Sequence, residues 1–581
     1  MKRGFFLLLT GVLLSLLFLT PAVTVLGMQK PGTADWCAQQ IFSRKDARIE
    51  ESLQHMSLSD KVGQMIIAQI EPHSITAKNK EYLLLTRLVQ EGKVGGIMFL
   101  KGDVVTAGTL VNHFQSLAQY PLLISSDMER GVAMRLSGAT EFPPNMALAA
   151  TQDRDLAEEM AEAIAEEATL IGMHHNYAPT VDLNSNPLNP IINTRSFGDG
   201  IPLTTSMSNA IIKGLQSNGT IATVKHFPGH GDVTVDSHFT LPVLQADRHQ
   251  LDSYELIPFK AAIEEGVISV MVGHLAVPKV TGTMEPASIS KSIVTDLLRK
   301  ELGFQGLIIT DALNMKALYT GQNVAEISVK AVQAGNDLLL FSPDPELAHS
   351  SVVKAVEDGV IPMEQIDASV RRILQAKAWL NIEERRVVDL EKIKADANQK
   401  SHRNLARRID SRAITLVSDQ THALPLQHSE GILNIILQDR VNNETGKAYI
   451  RALNRFYAAN HVRINTKTDS LGYANATELA KKANAIIVAS FSQTLSSTGQ
   501  LPLNDAQQQF IHSLVQRVPK ETPIILISFG TPYIINYFPE LTSYLATYSL
   551  GDNSEELVVE VLRGALKPRG ILPISLKGTP R

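Results

Sequence analysis

A strand-then-helix rhythm runs through the first two thirds of the chain. Eight short apolar runs rich in β-branched residues recur within about 280 residues, at 65–70, 96–100, 122–125, 175–178, 222–225, 268–272, 307–310 and 337–341. They lack the polar–apolar alternation of half-exposed antiparallel strands, as expected of strands buried on both faces. Segments of helical composition lie between them, such as DLAEEMAEAIAEEATLI at 155–171, with Gly172 as a stop signal. Strands alternating with helices make a parallel sheet, and eight such units predict an α/β fold of the (β/α)8 TIM type. The alternative, an open doubly wound sheet, usually carries a glycine-rich first turn, and no G-x-G-x-x-G follows an early strand here.

Residues 362–380 read as one more amphipathic helix, with Ile366, Val370, Ile373 and Leu374 near helical spacing. Composition then shifts: 383–408 carries 13 charged residues in 26, against 19% overall, and reads as a solvated linker over 386–410. A second α/β set follows, with runs at 432–437, 485–490, 524–529 and 544–548 and loop glycines at Gly530, Gly551 and Gly570. The expected organisation is a barrel domain over 28–385, the linker, and a smaller α/β sandwich domain over 411–581.

The first segment reads as an address. Lys2 and Arg3 precede an uncharged, Leu-, Phe- and Val-rich stretch from Gly4 to Gln29, the pattern of a secretory signal over 1–27. Val25-Leu26-Gly27 offers small or modest residues before a cut at Met28. The run is long enough to span a bilayer, so an uncleaved anchor tethering the chain to a membrane is the rival reading. Pro21 inside the run favours a signal peptide. A lipoprotein signal would need Cys where Met28 stands, and Cys37 lies too far on. The expectation is export, to the exterior, the cell envelope or the periplasm. The lone Cys37 excludes an intramolecular disulfide, so the core must hold the fold. A formal net charge of −5 without a long basic run argues against nucleic acid as a partner. The chain is expected to act as a monomer without a cofactor.

One loop concentrates the chemistry. Lys225-His226-Phe227-Pro228-Gly229-His230-Gly231-Asp232-Val233-Thr234-Val235-Asp236-Ser237-His238 follows the fifth strand and holds three of the chain's sixteen histidines. Gly and Pro make it a loop, and the C-terminal ends of barrel strands line active sites. Three readings compete. His226, His230 and His238 with Asp232 and Asp236 could bind a metal, although the spacing matches no zinc template. The segment could be a structural turn. It could also carry an acid–base dyad, in which Asp236 orients His238 and stabilises its charged form.

The string K-H-F-P-G-H-G-D followed by D-S-H resembles the signature of glycoside hydrolase family 3 β-N-acetylglucosaminidases of the NagZ type. Other stretches agree in order. Asp127-Met128-Glu129-Arg130-Gly131-Val132-Ala133-Met134-Arg135 is similar to the family's D-x-E-G-G-x-V-x-R, Ala178-Pro179-Thr180-Val181-Asp182-Leu183-Asn184 to A-P-V-x-D-x-N, Asn193-Thr194-Arg195-Ser196-Phe197-Gly198 to x-x-R-S-F-G, and Thr310-Asp311-Ala312-Leu313-Asn314-Met315 to S/T-D-x-L-x-M. The resemblance covers roughly 60–380, and 411 onward is similar to the companion domain of longer members.

The resemblance implies a retaining hydrolase in which Asp311 is the nucleophile and His238 the general acid/base, assisted by Asp236. It places Asp127, Arg135, Arg195, Lys225 and His226 at sugar-binding positions and calls for no metal. Physically this is coherent, because a retaining glycosidase needs a carboxylate nucleophile and a second group that gives and then takes a proton. Histidine, with an ordinary pKa of about 6.5, suits that second role near neutrality. A neutral imidazole also repels phosphate less than a carboxylate would, leaving phosphate as an alternative acceptor.

Each residue has a plainer reading. Asp311 could cap a helix, Arg195 could pair at the surface, Lys225 could snorkel from a strand end and Asp127 could cap a loop. His274 reads as a hydrogen-bonded core residue or a pocket residue, His174 and His175 as structural, Asp182 and Asn176 as loop braces. Arg130 departs from the family's paired glycines and adds a bulky cation near the sugar site. The function implied is an exported β-N-acetylhexosaminidase acting on cell-wall fragments or chitooligosaccharides. The alternatives are a β-glucosidase or β-xylosidase, and a carbohydrate-binding relative with weak catalysis.

Overall fold

The computed structural model describes residues 37–72, 79–319, 321–492 and 503–576, so the leader at 1–27 lies outside the described residues. Eight parallel strands form one sheet: β1 (Ile66–Ile70), β2 (Gly96–Phe99), β3 (Leu123–Ser126), β4 (His175–Asn176), β5 (Ile221–Phe227), β6 (Ser269–Val272), β7 (Leu307–Thr310) and β8 (Leu339–Leu340). From β1 to β7 each pairs with the next in chain order, and β8 returns to β1 through Ile66↔Leu339 and Ile67↔Leu340. A bridge between Ile309 and Leu338 joins β7 to the entry of β8, so the ring closes as expected of a (β/α)8 barrel. The strands are apolar on both faces because one face fills the barrel and the other meets the helices. Every residue of β5, IATVKHF, is buried, including Lys225 and His226 at its C-terminal end.

Helix α1 (Arg154–Leu170) shows how sequence sets an element's limits. The Asp153 carboxylate accepts from the N–H groups of Asp155 and Leu156 at its start, and Gly172, at φ +82°, turns the chain away after its end. Helix α2 (Met363–Trp379) crosses the N-terminal end of the barrel. There the buried Lys377 Nζ donates to Gln64 Oε1 (2.7 Å), Gly95 O (2.9 Å) and Pro121 O (2.6 Å), tying together the entries of β1, β2 and β3.

The segment 386–410 is not a solvated linker. It contains α3 (Leu390–Asp396) and most of α4 (Lys400–Ala413). Ile393, Leu405, Ala406 and Ile409 are buried in the barrel's own apolar core. The charges are real but lie on the outer face of helices whose inner face is apolar, a pattern that average composition conceals.

The second unit is a six-stranded sheet of β9 (Thr415–Asp419), β10 (Glu430–Gln438), β11 (Ala458–Ile464), β12 (Ala485–Ser492), β13 (Ile524–Gly530) and β14 (Ser543–Ala546), in the order β9-β14-β13-β12-β10-β11. Only β9 runs antiparallel to its neighbour. Alternate residues of β10 serve opposite faces: Leu433, Ile435 and Leu437 join one apolar cluster, Ile432 and Ile436 the other. Helices cover both faces, giving an α/β/α sandwich. The first cluster also takes in Met146, Ala147 and Ala150 of the barrel helix Asn145–Ala150, so the two units share a core seam.

Candidate active site

The C-terminal ends of the strands enclose a cavity of about 430 Å³. Asp127, Arg135, Arg195, Lys225, His226, His238 and Asp311 all line it, together with Glu129, His230, Met98, Leu100, Ile191 and Phe341. Asp236 is not on the lining; it stands behind His238.

Two carboxylates and three cations form its floor. Lys225 ends β5 and is 2% exposed; its Nζ lies 3.0 Å from Asp127 Oδ1 and 2.7 Å from Glu129 Oε1. Arg135 Nη2 donates to Asp127 Oδ2 at 2.5 Å, and Arg195 grips Glu129 through Nε (3.0 Å) and Nη2 (2.6 Å). Burial works to raise both carboxyls and is outweighed by these cations, so Asp127 is held below the ordinary carboxylate range and Glu129 well below it. A dry, charge-dense floor of this kind offers strong donors and acceptors to hydroxyl groups. Glu129 belongs to the Asp127–Arg135 stretch but has no role in the sequence reading. Its importance comes from meeting Arg195 and Lys225, which are remote in sequence.

The next layer fixes these groups. Asp182, fully buried, accepts from His226 Nδ1 (2.7 Å) and from the backbone N–H groups of His226 (3.1 Å) and His230 (2.7 Å). That bond assigns the Nδ1–H tautomer of His226. Asn176 Oδ1 accepts from the Met128 N–H at 2.9 Å. Both residues are braces, as the sequence reading expects. A Cβ at Gly231 would sit 1.6 Å from the Leu183 carbonyl oxygen, so only glycine lets the histidine loop press against that turn. His274 is wholly buried, bonding Ser288 Oγ (2.7 Å) and the Ala312 carbonyl (3.0 Å), which places it in the core behind the Asp311 turn. His175 bonds Thr223 Oγ1 at 2.8 Å inside the barrel.

Asp311 follows β7, and its Oδ1 accepts from the Ala312 N–H at 2.7 Å. Burial would raise its carboxyl, but His274, His226, that N–H and Lys225 hold it lowered. On the facing loop, His238 Nδ1 and its backbone N–H each meet Asp236 Oδ1 at 2.8 Å. The Asp236 bond raises the imidazole against some burial, with Asp311 adding to the effect. His238 is 61% exposed, so its ring reaches solvent as well as the cavity. Asp182 engages His226 Nδ1 and Asp236 engages His238 Nδ1, and among the described residues no cluster of three His, Cys, Asp or Glu side chains could hold a metal ion.

Arg130 lies outside this cavity. It pairs with Glu141 (2.6 Å) at the surface and borders a recess of about 250 Å³, closed on its far side by Gly530, Thr531, Tyr548 and Ser549 of the second unit. That unit also touches the site's supports: Tyr533 OH accepts from Asn184 Nδ2 (2.7 Å), and Thr531 Oγ1 accepts from Asn193 Nδ2 (3.1 Å), two residues before Arg195.

Residues 57–376 match the glycosyl hydrolase family 3 N-terminal domain, and 353–580 match the family's C-terminal domain. The chain belongs to glycosyl hydrolase family 3. It is a glycoside hydrolase, and its substrate is a carbohydrate. Among family 3 relatives, β-hexosaminidase A of Pseudoalteromonas piscicida is 29% identical over 550 residues, covering 85% of this chain and 91% of that protein. A β-N-acetylglucosaminidase/β-glucosidase of Cellulomonas fimi is 28% identical, covering 90% and 93%. Among solved structures, a family 3 β-N-acetylglucosaminidase from Paenibacillus sp. str. FPU-7 superposes with a TM-score of 0.79 at 31% identity, covering 90% of this chain and all of that one.

Proposed function

We propose that this family 3 enzyme is an exported, retaining exo-β-N-acetylhexosaminidase that removes terminal N-acetylglucosamine from cell-wall fragments or chitooligosaccharides. The observation that carries the reading is the Asp236–His238 pair facing the cavity that Asp311 lines. Asp311 attacks the anomeric carbon as His238 Nε2 passes its proton to the leaving oxygen, because Nδ1 is engaged by Asp236. The glycosyl group is then on Asp311. A water surrenders its proton to the now neutral Nε2 as its oxygen bonds the anomeric carbon, and Asp311 leaves as carboxylate. The raised imidazole suits a group that must start protonated near neutral pH. Asp127, Arg135, Glu129, Arg195, Lys225 and His226, which line the same cavity, hold the terminal sugar's hydroxyls. The names of the relatives support N-acetylglucosamine as the sugar, and Lys2-Arg3 before an uncharged apolar run supports export.

Initial rates on aryl β-N-acetylglucosaminide and aryl β-glucoside, with and without phosphate, test this. The Cellulomonas fimi relative named for both activities makes the glucoside the necessary comparison. The N-acetylglucosaminide should turn over at least about tenfold faster in kcat/KM, the scale one well-made polar contact supplies. A preference for the glucoside contradicts the assignment.

A further inference from the structure

His230 is the one histidine of the 225–238 loop that the reaction above leaves without work. It is 2% exposed and lines the same cavity as Asp311, His226 and His238. Neither ring nitrogen meets a hydrogen-bond partner in the protein among the described residues. A buried imidazole without partners costs free energy and is uncommon in a core. Its backbone, by contrast, is locked. The N–H donates to Asp182 Oδ1 (2.7 Å), and the carbonyl accepts from Asn189 Nδ2 (2.7 Å). The ring sits edge-on to His226, centroids 5.7 Å apart. Burial, with His226 beside it, lowers the imidazole to about 4, so it is neutral at working pH and presents one N–H donor and one acceptor nitrogen. The Asp311 carboxylate is near enough to act on it.

The cavity thus has two chemically different parts. Charged pairs built on Asp127, Glu129, Lys225, Arg135 and Arg195 suit hydroxyl groups. His230, on the wall it shares with Asp311, offers a neutral donor and a neutral acceptor in fixed positions. A secondary amide has the complementary set, one N–H and one C=O. On a glycoside whose anomeric carbon faces Asp311, the substituent on the adjoining carbon is the 2-acetamido group.

We propose that His230 is a substrate-binding residue that hydrogen-bonds the 2-acetamido group and thereby gives the enzyme its preference for N-acetylglucosamine over glucose. This rests on the function proposed above and deepens it. The unpartnered nitrogens are then the site's investment in selectivity, because a sugar with only a hydroxyl at that carbon leaves part of the set unmatched.

The test compares the parent with His230→Phe, which keeps a ring of similar size and removes both polar atoms, on aryl β-N-acetylglucosaminide and aryl β-glucoside. The expected result is a loss of about 10- to 100-fold in kcat/KM on the N-acetylglucosaminide with a change within about threefold on the glucoside. N-acetylglucosamine should also weaken as a competitive inhibitor while glucose does not. Should His230→Phe fail to fold, as read by thermal unfolding, His230→Asn reads the same ratio, since its shorter amide withdraws from the sugar. Equal losses on both substrates, or none on either, overturn the role of His230 while leaving the hexosaminidase reading intact. A parent enzyme that prefers the glucoside overturns both, and the parent's own rates distinguish the two failures.

Discussion

Lys225 and Lys377 are both buried, at opposite ends of one barrel, and differ in what they face. At the C-terminal mouth, Lys225 bridges two carboxylates, Asp127 and Glu129, which in turn hold Arg135 and Arg195. At the N-terminal end, the Lys377 amine meets, among the described residues, only a side-chain amide oxygen and two backbone carbonyls. Three acceptors for one amine form a closed polar knot with nothing left over for a ligand. Burial, with Arg386 adding to it, brings Lys377 down to about 7. The mouth instead carries paired charges around open space, a costly arrangement that makes sense where a substrate supplies further partners. Substitutions at the mouth should therefore act on rate, and those at the N-terminal end on stability.

The largest effect is expected from Asp311→Ala. On the proposed mechanism it removes the group that bonds the anomeric carbon, so kcat on an aryl N-acetylglucosaminide should fall by about 10³-fold or more, with thermal unfolding unchanged. Activity within about tenfold of the parent would break the contrast at its strongest point. A graded effect is expected at His238. In His238→Ala, natural disaccharides, which need a proton on the leaving oxygen, should slow far more than dinitrophenyl glycosides, which need little acid help. Azide should then raise the variant's rate on the activated substrate and give a β-glycosyl azide, because azide needs no general base. One common factor for all substrates, with azide inert, would make His238 a loop-supporting residue.

The smallest effect sharpens the N-terminal end. Lys377→Met strands the acceptors of Gln64, Gly95 and Pro121, and should cost about 1–3 kcal/mol in urea unfolding with kcat/KM within about threefold. The pH dependence has a definite sign. A lysine lowered to about 7 when folded, from its ordinary 10.5, holds fewer protons in the folded than in the unfolded chain between those values. This group therefore makes parent stability rise with pH from about 7 upward, and the rise attributable to it should vanish in Lys377→Met. Equal pH slopes in parent and variant would contradict the account of that knot.

The barrel was legible because its strands are buried on both faces and so read as unbroken apolar runs. The strands that escaped reading, β9 and β11, are sheet edges whose residues are mostly part-exposed and whose sequences, TLVSD and AANHVRI, are not apolar runs. The misjudged segment 386–410 failed for a related reason: its charges sit on one helix face, and Ile393, Leu405, Ala406 and Ile409 are sparse among them. At the site, local clusters were readable, since Asp236 and His238 are two residues apart. Glu129 was not, because its partner Arg195 lies 66 residues away and only folding joins them. His230 was visible as a histidine, but its unpartnered state is a property of packing that no spacing records.

The central claim is that Asp311 carries the sugar. It is tested most directly by quenching the enzyme with a 5-fluoro-N-acetylglucosaminyl fluoride, whose ring fluorine slows release of the intermediate, and mapping the labelled peptide by mass spectrometry. The account predicts one glycosyl adduct, on the peptide containing Asp311 and at that carboxylate, lost when Asp311→Ala is treated in the same way. An adduct on another side chain, or steady turnover of the reagent with no adduct on any peptide, would contradict it.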